Sequence, residues 1–421
     1  MRRSRIQHLV GAMGISLAVV MGGAITIAGS ISEKTMSRAT PGRFESALTA
    51  AGEWFLNNEN EEFINYANQT KKTSCGLAGG RLRETAAAWA LASLAQHLQD
   101  DRLLRLARKG LDFFSDHLAF DYPGQYYYLN MTPGQLKLGY SAFLILAMLE
   151  LDPARYADIA QGLARGIQTL QSSHGKLRSF FPAPGEARAA EGQALSFAGE
   201  LEGAKTDRTQ SFYPGQALLA LAQMRKTYGR EAYQRIVEKA FPYYRGFWRM
   251  QPSSDFIPWQ LQAYAKLYRI DPDPRYAEFI FEMADYLTSK YGRGDTCENY
   301  NFRSISAASL VEGINRAYEV ARALNDEKRT VCYANFVREG LEVVLQLQIP
   351  QGAGTAPLMA GGFRATATAD EVRVDHVQHA VMAILGAYEN GLIAPEGDFA
   401  GAGPEKKADK KRSKGKGRAK K

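Results

Sequence analysis

The sequence predicts an all-α protein of six helical hairpins, six inner and six outer helices closed into a ring. Three observations predict it: two alternating helix characters, six copies of each, and an irregular spacing between copies. Both characters are visible in Ser211 to Trp248. From about Gly215 to Thr227 the chain is apolar nearly all round, through Ala217, Leu218, Leu219, Leu221 and Met224. A helix with no polar face belongs inside a larger assembly. The next segment puts Tyr233, Ile236, Val237, Ala240, Phe241 and Tyr244 in one stripe, with Glu231, Arg235, Glu238 and Lys239 opposite. That is a helix with one face on a core and the other in water.

The same stripe recurs five more times, starting at Phe44, Leu103, Tyr156, Tyr276 and Tyr333. Each amphipathic segment is followed by a loop and a more uniformly apolar helix, beginning near Glu84, Gly139, Gly215, Pro258, Ile305 and His376. Returns from an inner to the next outer helix are short, as in Leu151-Asp152-Pro153 and Asp271-Pro272-Asp273-Pro274, where Pro and Asp suit helix stops and starts.

Successive outer stripes are 59, 53, 77, 43 and 57 residues apart. Solenoids of helix pairs keep a period of roughly 34–47 residues. Irregular spacing with six pairs points instead to a closed ring whose length variation lies in the outer-to-inner loops, all at one end. The longest, near 173–212, is expected to form a small β-hairpin or flap. Loops on one face of a rigid scaffold are where sites are built.

Charge and cysteine set further bounds. The net charge is +8, yet residues 405–421 carry ten Lys/Arg against Glu405 and Asp409 and account for all of it. The rest is neutral overall, so no nucleic-acid surface is implied. At the other end, Met1-Arg2-Arg3-Ser4-Arg5 precedes an uncharged run from Leu9 to Ile31. A positive segment before an apolar run marks export. Its length leaves a cleaved signal and a membrane anchor both open. The expected organisation is a signal or anchor over 1–33, a ring domain over 40–392 and a disordered basic tail over 393–421, for which anionic polymers or headgroups as partners and a solubilising tail with no specific partner are both open. Of the three cysteines, Cys332 falls on a helix and is expected to be packed. Cys75 and Cys297 fall in loops before buried helices, leaving a bridge between them and two free thiols both open. No zinc spacing is present, and neither a metal nor a cofactor is expected.

Six such hairpins, with Gly361-Gly362-Phe363 ahead of the last inner helix and Phe212-Tyr213-Pro214-Gly215 ahead of the third, resemble the (α/α)6 toroid of the six-hairpin glycosidase and sugar-epimerase superfamily, which includes N-acylglucosamine 2-epimerases and glucuronyl C5-epimerases. The resemblance covers residues 40–392 as architecture. Terpene and lanthionine cyclases share the toroid, but the chain has no DxDD run and no Cys/His zinc set. Fold does not by itself give function.

Residues at the starts of the inner helices should face the ring's mouth. Hydrolysis of a glycoside needs two carboxylates across the scissile bond, and Asp255, Glu298 and Asp375 are the candidates, on three different hairpins. Helix capping competes as an explanation for each. His376 and His379 lie three apart on the last inner helix, where imidazoles would suit proton shuttling in epimerisation or elimination. Tyr140, Tyr213 and Trp259 are expected to stack on sugar rings, Glu84 and Gln216 to take hydroxyls, and Arg303 and Arg373 to hold a sugar carboxylate. These residues suit an exported or anchored enzyme acting on an acidic polysaccharide, by hydrolysis, elimination or epimerisation. The rival reading is a non-catalytic glycan-binding or scaffold subunit of an envelope complex that assembles or exports a polymer.

Overall fold

The computed structural model describes residues 42–69, 80–131, 135–182, 196–293, 296–352, 354–394 and 398–400. The expected signal or anchor over 1–33, Cys75 and the tail beyond 400 lie outside them. Among the described residues no helix is long and apolar enough to cross a membrane.

Six helices are buried on nearly every side: α2 (Arg81–Leu98), α4 (Leu138–Leu151), α7 (Tyr213–Tyr228), α9 (Ile257–Ile270), α11 (Ser306–Ala323) and α13 (Val374–Glu389). Each packs on the next, and α13 packs back on α2, which closes the ring. Outside them run α1 (Arg43–Asn57), α3 (Asp101–Asp116), α5 (Ala157–Thr169), α8 (Glu231–Met250), α10 (Pro274–Tyr291) and α12 (Glu327–Gln346). Their buried residues are the predicted stripes, as in Leu103, Leu106, Ala107, Gly110, Leu111 and Phe114 of α3. Asp100, Asp273 and Asp326 cap α3, α10 and α12 by accepting backbone N–H groups of Arg102, Arg275 and Arg329. The all-α (α/α)6 toroid is therefore the fold.

Two features depart from expectation. The insertion near 173–212 contains no paired strands among its described residues. After an isolated bridge between Gln171 and Leu177 it forms the short helix α6 (Phe197–Ala204) and a 3-10 turn over Arg208–Ser211. Ser196 caps α6 through the Gly199 N–H, which is the helix start the sequence reading overlooked. The β-hairpin lies one loop earlier, where β2 (Leu118–Asp121) pairs with β3 (Tyr126–Leu129), and Tyr126 and Tyr128 stack on Phe181. Residues 398–400 also continue the fold beyond 392: Phe399 meets Phe44 at 4.9 Å and Asp398 pairs with Arg43.

A second pair, β1 (Ala67–Gln69) with β4 (Glu371–Arg373), joins the first outer-to-inner loop to the last. Val374 N–H extends it by donating to the Tyr66 carbonyl at 2.9 Å. This seam brings Arg373 and Asp375 to the start of α2.

Candidate active site at the mouth of the ring

All six inner helices begin at one end, and the side chains of their first turns surround a cavity of about 620 Å3. Arg83 comes from α2, Lys137 from the residue before α4, Tyr213 and Gln216 from α7, Asp255 and Trp259 from the start of α9, Ser306 and Ser309 from α11, and Asp375, Gln378 and His379 from α13. Arg208 and Thr209 of the 3-10 turn complete one wall.

His379 is held from behind. Its Nδ1 lies 2.5 Å from Oε1 of Glu312, a carboxylate one and a half turns into α11 and only 4% exposed. Burial alone would lower the imidazole's pKa, but the charge and hydrogen bond of Glu312 win and hold it above its ordinary value. With Nδ1–H donating to Glu312, Nε2 is the ring nitrogen left for a substrate. The Trp259 ring lies 5.8 Å from the imidazole and is braced edge-on by Phe143 at 5.3 Å. An imidazole, the carboxylate that orients it and an indole ring therefore share one wall.

Asp375 is differently held. Arg83 Nε and Arg373 Nε each donate to it at 2.9 Å, and Arg373 Nη2 makes a further, short contact. Burial would raise its pKa, but the hydrogen bond and charge of Arg373, with Arg83 behind them, keep it below the usual carboxylate range. It is an ionised strut between two guanidinium groups. Tyr213 is half-buried, and burial keeps its phenol protonated well into alkaline solution.

The structure gathers Asp255, Asp375, His379, Tyr213, Gln216 and Trp259 around the cavity and leaves the other expected residues outside its lining. Glu84 is fully buried against Arg81 at 2.9 Å, because the first turn of α2 turns it away from the axis. Tyr140 is buried beneath Lys137. His376 is buried with Nδ1 3.3 Å from the Phe363 carbonyl, so the two histidines on this helix do not act at one place. Glu298 and Arg303 are exposed, and Arg303 Nε donates to Asn301. Arg373 reaches Asp375 rather than the cavity. Among the described residues no cluster of three or more His, Cys, Asp or Glu is arranged to hold a metal ion.

Glu312, Lys137, Arg208 and Gln378 were missed from sequence. Glu312 carried a usable signal, being the one charged residue in the Ala307–Ile314 stretch. The loop before α11 also holds a disulfide, Cys297–Cys332, in place of the Cys75–Cys297 pairing that was left open.

At the opposite end, where the inner helices finish, lies a second cavity of about 720 Å3. Its cations Lys226, Arg269 and Arg322 sit in the last turns of α7, α9 and α11, with Lys266 one turn earlier. Cations there offset the negative ends of the helix dipoles. Glu319 pairs with Arg269 and Glu389 with Arg316, both at 2.7 Å.

No protein-family model matches the chain, and no curated protein does. Solved structures do. A cellobiose 2-epimerase from Bacillus thermoamylovorans superposes with a TM-score of 0.58 at 12% identity, over 81% of this chain and 98% of its own. The α-1,6-mannanase GH76A of a Salegentibacter species gives 0.55 at 11% identity, over 82% and 99%. An unsaturated glucuronyl hydrolase from Streptococcus agalactiae gives 0.51 at 14%, over 82% and 90%. An inactive variant of that mannanase, with two adjacent aspartates replaced by asparagine, is known in complex with α-1,6-mannotriose. In this chain the one adjacent pair, Asp100-Asp101, is at the outer helix α3, where Asp100 is the cap. These neighbours are carbohydrate-active enzymes, and this chain shares with them the (α/α)6-toroid fold of the six-hairpin glycosidases and sugar epimerases.

Proposed function

We propose that the protein is an exported carbohydrate-active enzyme that moves a proton at a sugar carbon, with His379 as the base. The observation that carries this reading is the His379–Glu312 pair facing the cavity beside Trp259. A carboxylate on Nδ1 fixes the tautomer and raises the basicity of Nε2. Nε2 would take a proton from the carbon next to a carbonyl or carboxyl group. The C–H electron pair moves onto that group's oxygen, giving an enediolate that the Tyr213 phenol can stabilise by donating a hydrogen bond. Return of a proton to the opposite face gives an epimer, while loss of the substituent on the next carbon gives an unsaturated product.

Glycoside hydrolysis fits the site less well. It needs one carboxyl group protonated and free to reach the leaving oxygen. Of the two carboxylates that line the cavity, Asp375 is held ionised by two arginines and Asp255 stands exposed to solvent, outside the buried setting that would keep an acid protonated, while Glu312 is bonded behind His379. Export is supported by the Cys297–Cys332 disulfide, which suits an oxidising compartment, and by the positive segment before the apolar run at residues 9–31.

The test is incubation of the full chain with a panel of neutral and acidic oligosaccharides in D2O, followed by NMR. Deuterium appearing at one sugar carbon, or an alkene proton, is the expected result, absent with His379→Gln. New reducing ends without exchange would make the protein a hydrolase instead. Binding without any reaction would favour the non-catalytic reading.

A further inference from the structure

The two ends of the ring treat positive charge in opposite ways. At the far end the cations stand at helix C-termini, where the dipole favours them. At the mouth they stand at helix N-termini, where it does not: Arg83 in the first turn of α2, Lys137 at the N-cap of α4, and Arg208 just ahead of α7. Arg83 is compensated by Asp375. Lys137 and Arg208 form no ion pair with a carboxylate of the described residues.

Lys137 is the stronger anomaly. It is half-buried, rests over the Tyr140 ring at 5.6 Å, and has its ammonium pKa pushed down by burial and then by Arg83. An ammonium at a helix N-terminus without a carboxylate partner costs stability, and among the described residues only the Tyr140 ring offsets it. Its backbone is built in firmly. Leu138 N–H donates to the Ser179 carbonyl at 2.9 Å and Phe181 N–H to the Leu136 carbonyl at 2.8 Å. The Ser179 hydroxyl in turn accepts from Gln210 Nε2 at 2.9 Å and donates to Thr209 Oγ1 at 2.5 Å, whose own proton goes to Asp207. The segments carrying Lys137 and Arg208 are thus stitched together across Ser179. Asp207, the nearest carboxylate in sequence, is engaged by the Thr209 N–H and hydroxyl.

Two amides in the lining of the same cavity each keep an unpartnered polar atom. Gln216 is 5% exposed and Gln378 1%, yet Oε1 of the first and Nε2 of the second have no hydrogen-bond partner among the described residues. Both atoms are closed to solvent, so a sugar hydroxyl would meet them through a rotation of the amide.

We propose that this wall is the seat of an anionic group on the sugar, with Lys137 and Arg208 as its charge partners and Gln216 and Gln378 taking neighbouring hydroxyls. The seat rests on the saccharide reading above. It replaces Arg303 and Arg373 as the carboxylate-binding residues. The chemistry common to a uronate, a sulfate ester and a phosphate ester is a compact oxyanion, and the test separates them.

Full-length His379→Gln protein, which cannot turn substrate over on this reading, is titrated calorimetrically with tetrasaccharides matched in length: uronate-containing, sulfated, phosphorylated and neutral. At least one anionic member should bind roughly tenfold or more tighter than the neutral one, with the advantage shrinking as salt rises. Lys137→Met should remove most of that advantage and leave neutral binding unchanged, Lys137→Arg should keep it, and Arg208→Gln should weaken it. If no anionic member outbinds the neutral one, or if Lys137→Met with a native melting curve keeps the preference, the seat is overturned. Anionic preference in a chain that never exchanges a sugar proton would leave the seat standing and remove the enzyme reading.

Discussion

Glu312 Oε1 and His379 Nδ1 meet at 2.5 Å across the α11–α13 contact, at the base of the cavity. The pairing raises the His379 pKa above its ordinary value near 6.5. For the proton-transfer reading the base must be neutral, so kcat/KM should rise with pH through an inflection above about 6.5. Glu312→Gln should move that inflection down and reduce the rate, and His379→Gln should cost about 10²-fold or more. The sign for stability is opposite: a raised folded value means the contribution is fully present below about pH 6.5 and fades as pH rises through the folded pKa. A pH–rate profile unmoved by Glu312→Gln would remove Glu312 from the mechanism.

Asp375 makes a different prediction, because its carboxylate links Arg83 of α2 to Arg373 of the β1–β4 seam. A carboxylate that served chemistry alone would lose activity on Asp375→Asn and keep its melting temperature. The structure makes stability the first casualty, since two guanidinium groups lose their charged acceptor. About 2 kcal/mol should be lost at pH 7, as read by denaturant unfolding. With the folded pKa depressed, this stabilisation is present above about pH 3.9 and is lost as pH falls through the folded value. Wild type and variant should therefore converge in stability towards pH 2.

The ring was legible because both helix characters write themselves into sequence: a single buried stripe outside, and no polar face inside. The mouth was partly legible for the same reason, since residues in the opening turns of the inner helices, such as Trp259, Gln216 and His379, surround it, although Glu84 and Tyr140 at equivalent places do not. What failed was direction within a loop or a turn. His376 and His379 share a helix face in projection, yet the turn containing Phe363 covers the first and leaves the second open. Glu298 and Arg303 looked like mouth residues because they precede α11, but their loop is drawn outward to α12. There the Glu339 carboxylate accepts the N–H groups of Asn299 at 3.0 Å and Tyr300 at 2.7 Å. Glu312 was missed because its role depends on a partner 67 residues away.

Gly361-Gly362-Phe363 is explained by packing. Gly361 has φ of +83°, and a Cβ there would fall 2.0 Å from the Ala50 carbonyl oxygen of α1. Gly362 would drive a Cβ to 2.7 Å from Trp54 Nε1. Both glycines let the turn lie flat on the outer helix, so that the Phe363 carbonyl can reach His376. Gly361→Ala should cost on the order of 3 kcal/mol or prevent folding, because backbone, not a side-chain tip, must move. Gly203→Ala in α6 is the control. Its Cβ meets nothing within 4 Å, and it should stabilise by up to about 1 kcal/mol. Equal melting temperatures for the two variants would refute this account.

The Cys297–Cys332 bridge fixes the loop that enters α11 to the outer helix α12, across 35 residues of sequence. Tyr300 reinforces the tether, its hydroxyl donating to the Cys332 carbonyl at 3.2 Å. Loop-closure entropy for a span of this length stabilises the fold by about 4 kcal/mol. Cys297→Ser should lower the denaturation midpoint, and reductant should do the same to wild type but not to the variant. The helix led by this loop supplies Ser306 and Ser309 to the cavity, so saccharide affinity should fall with the tether cut. The bridge also bears on where the protein works. Thiols trapped by alkylation in intact cells, before lysis, should leave Cys297 and Cys332 unlabelled until a reductant is added. Free Cys297 and Cys332 in that experiment would place the folded chain in a reducing compartment, and the export reading would fall while the toroid and its mouth remained.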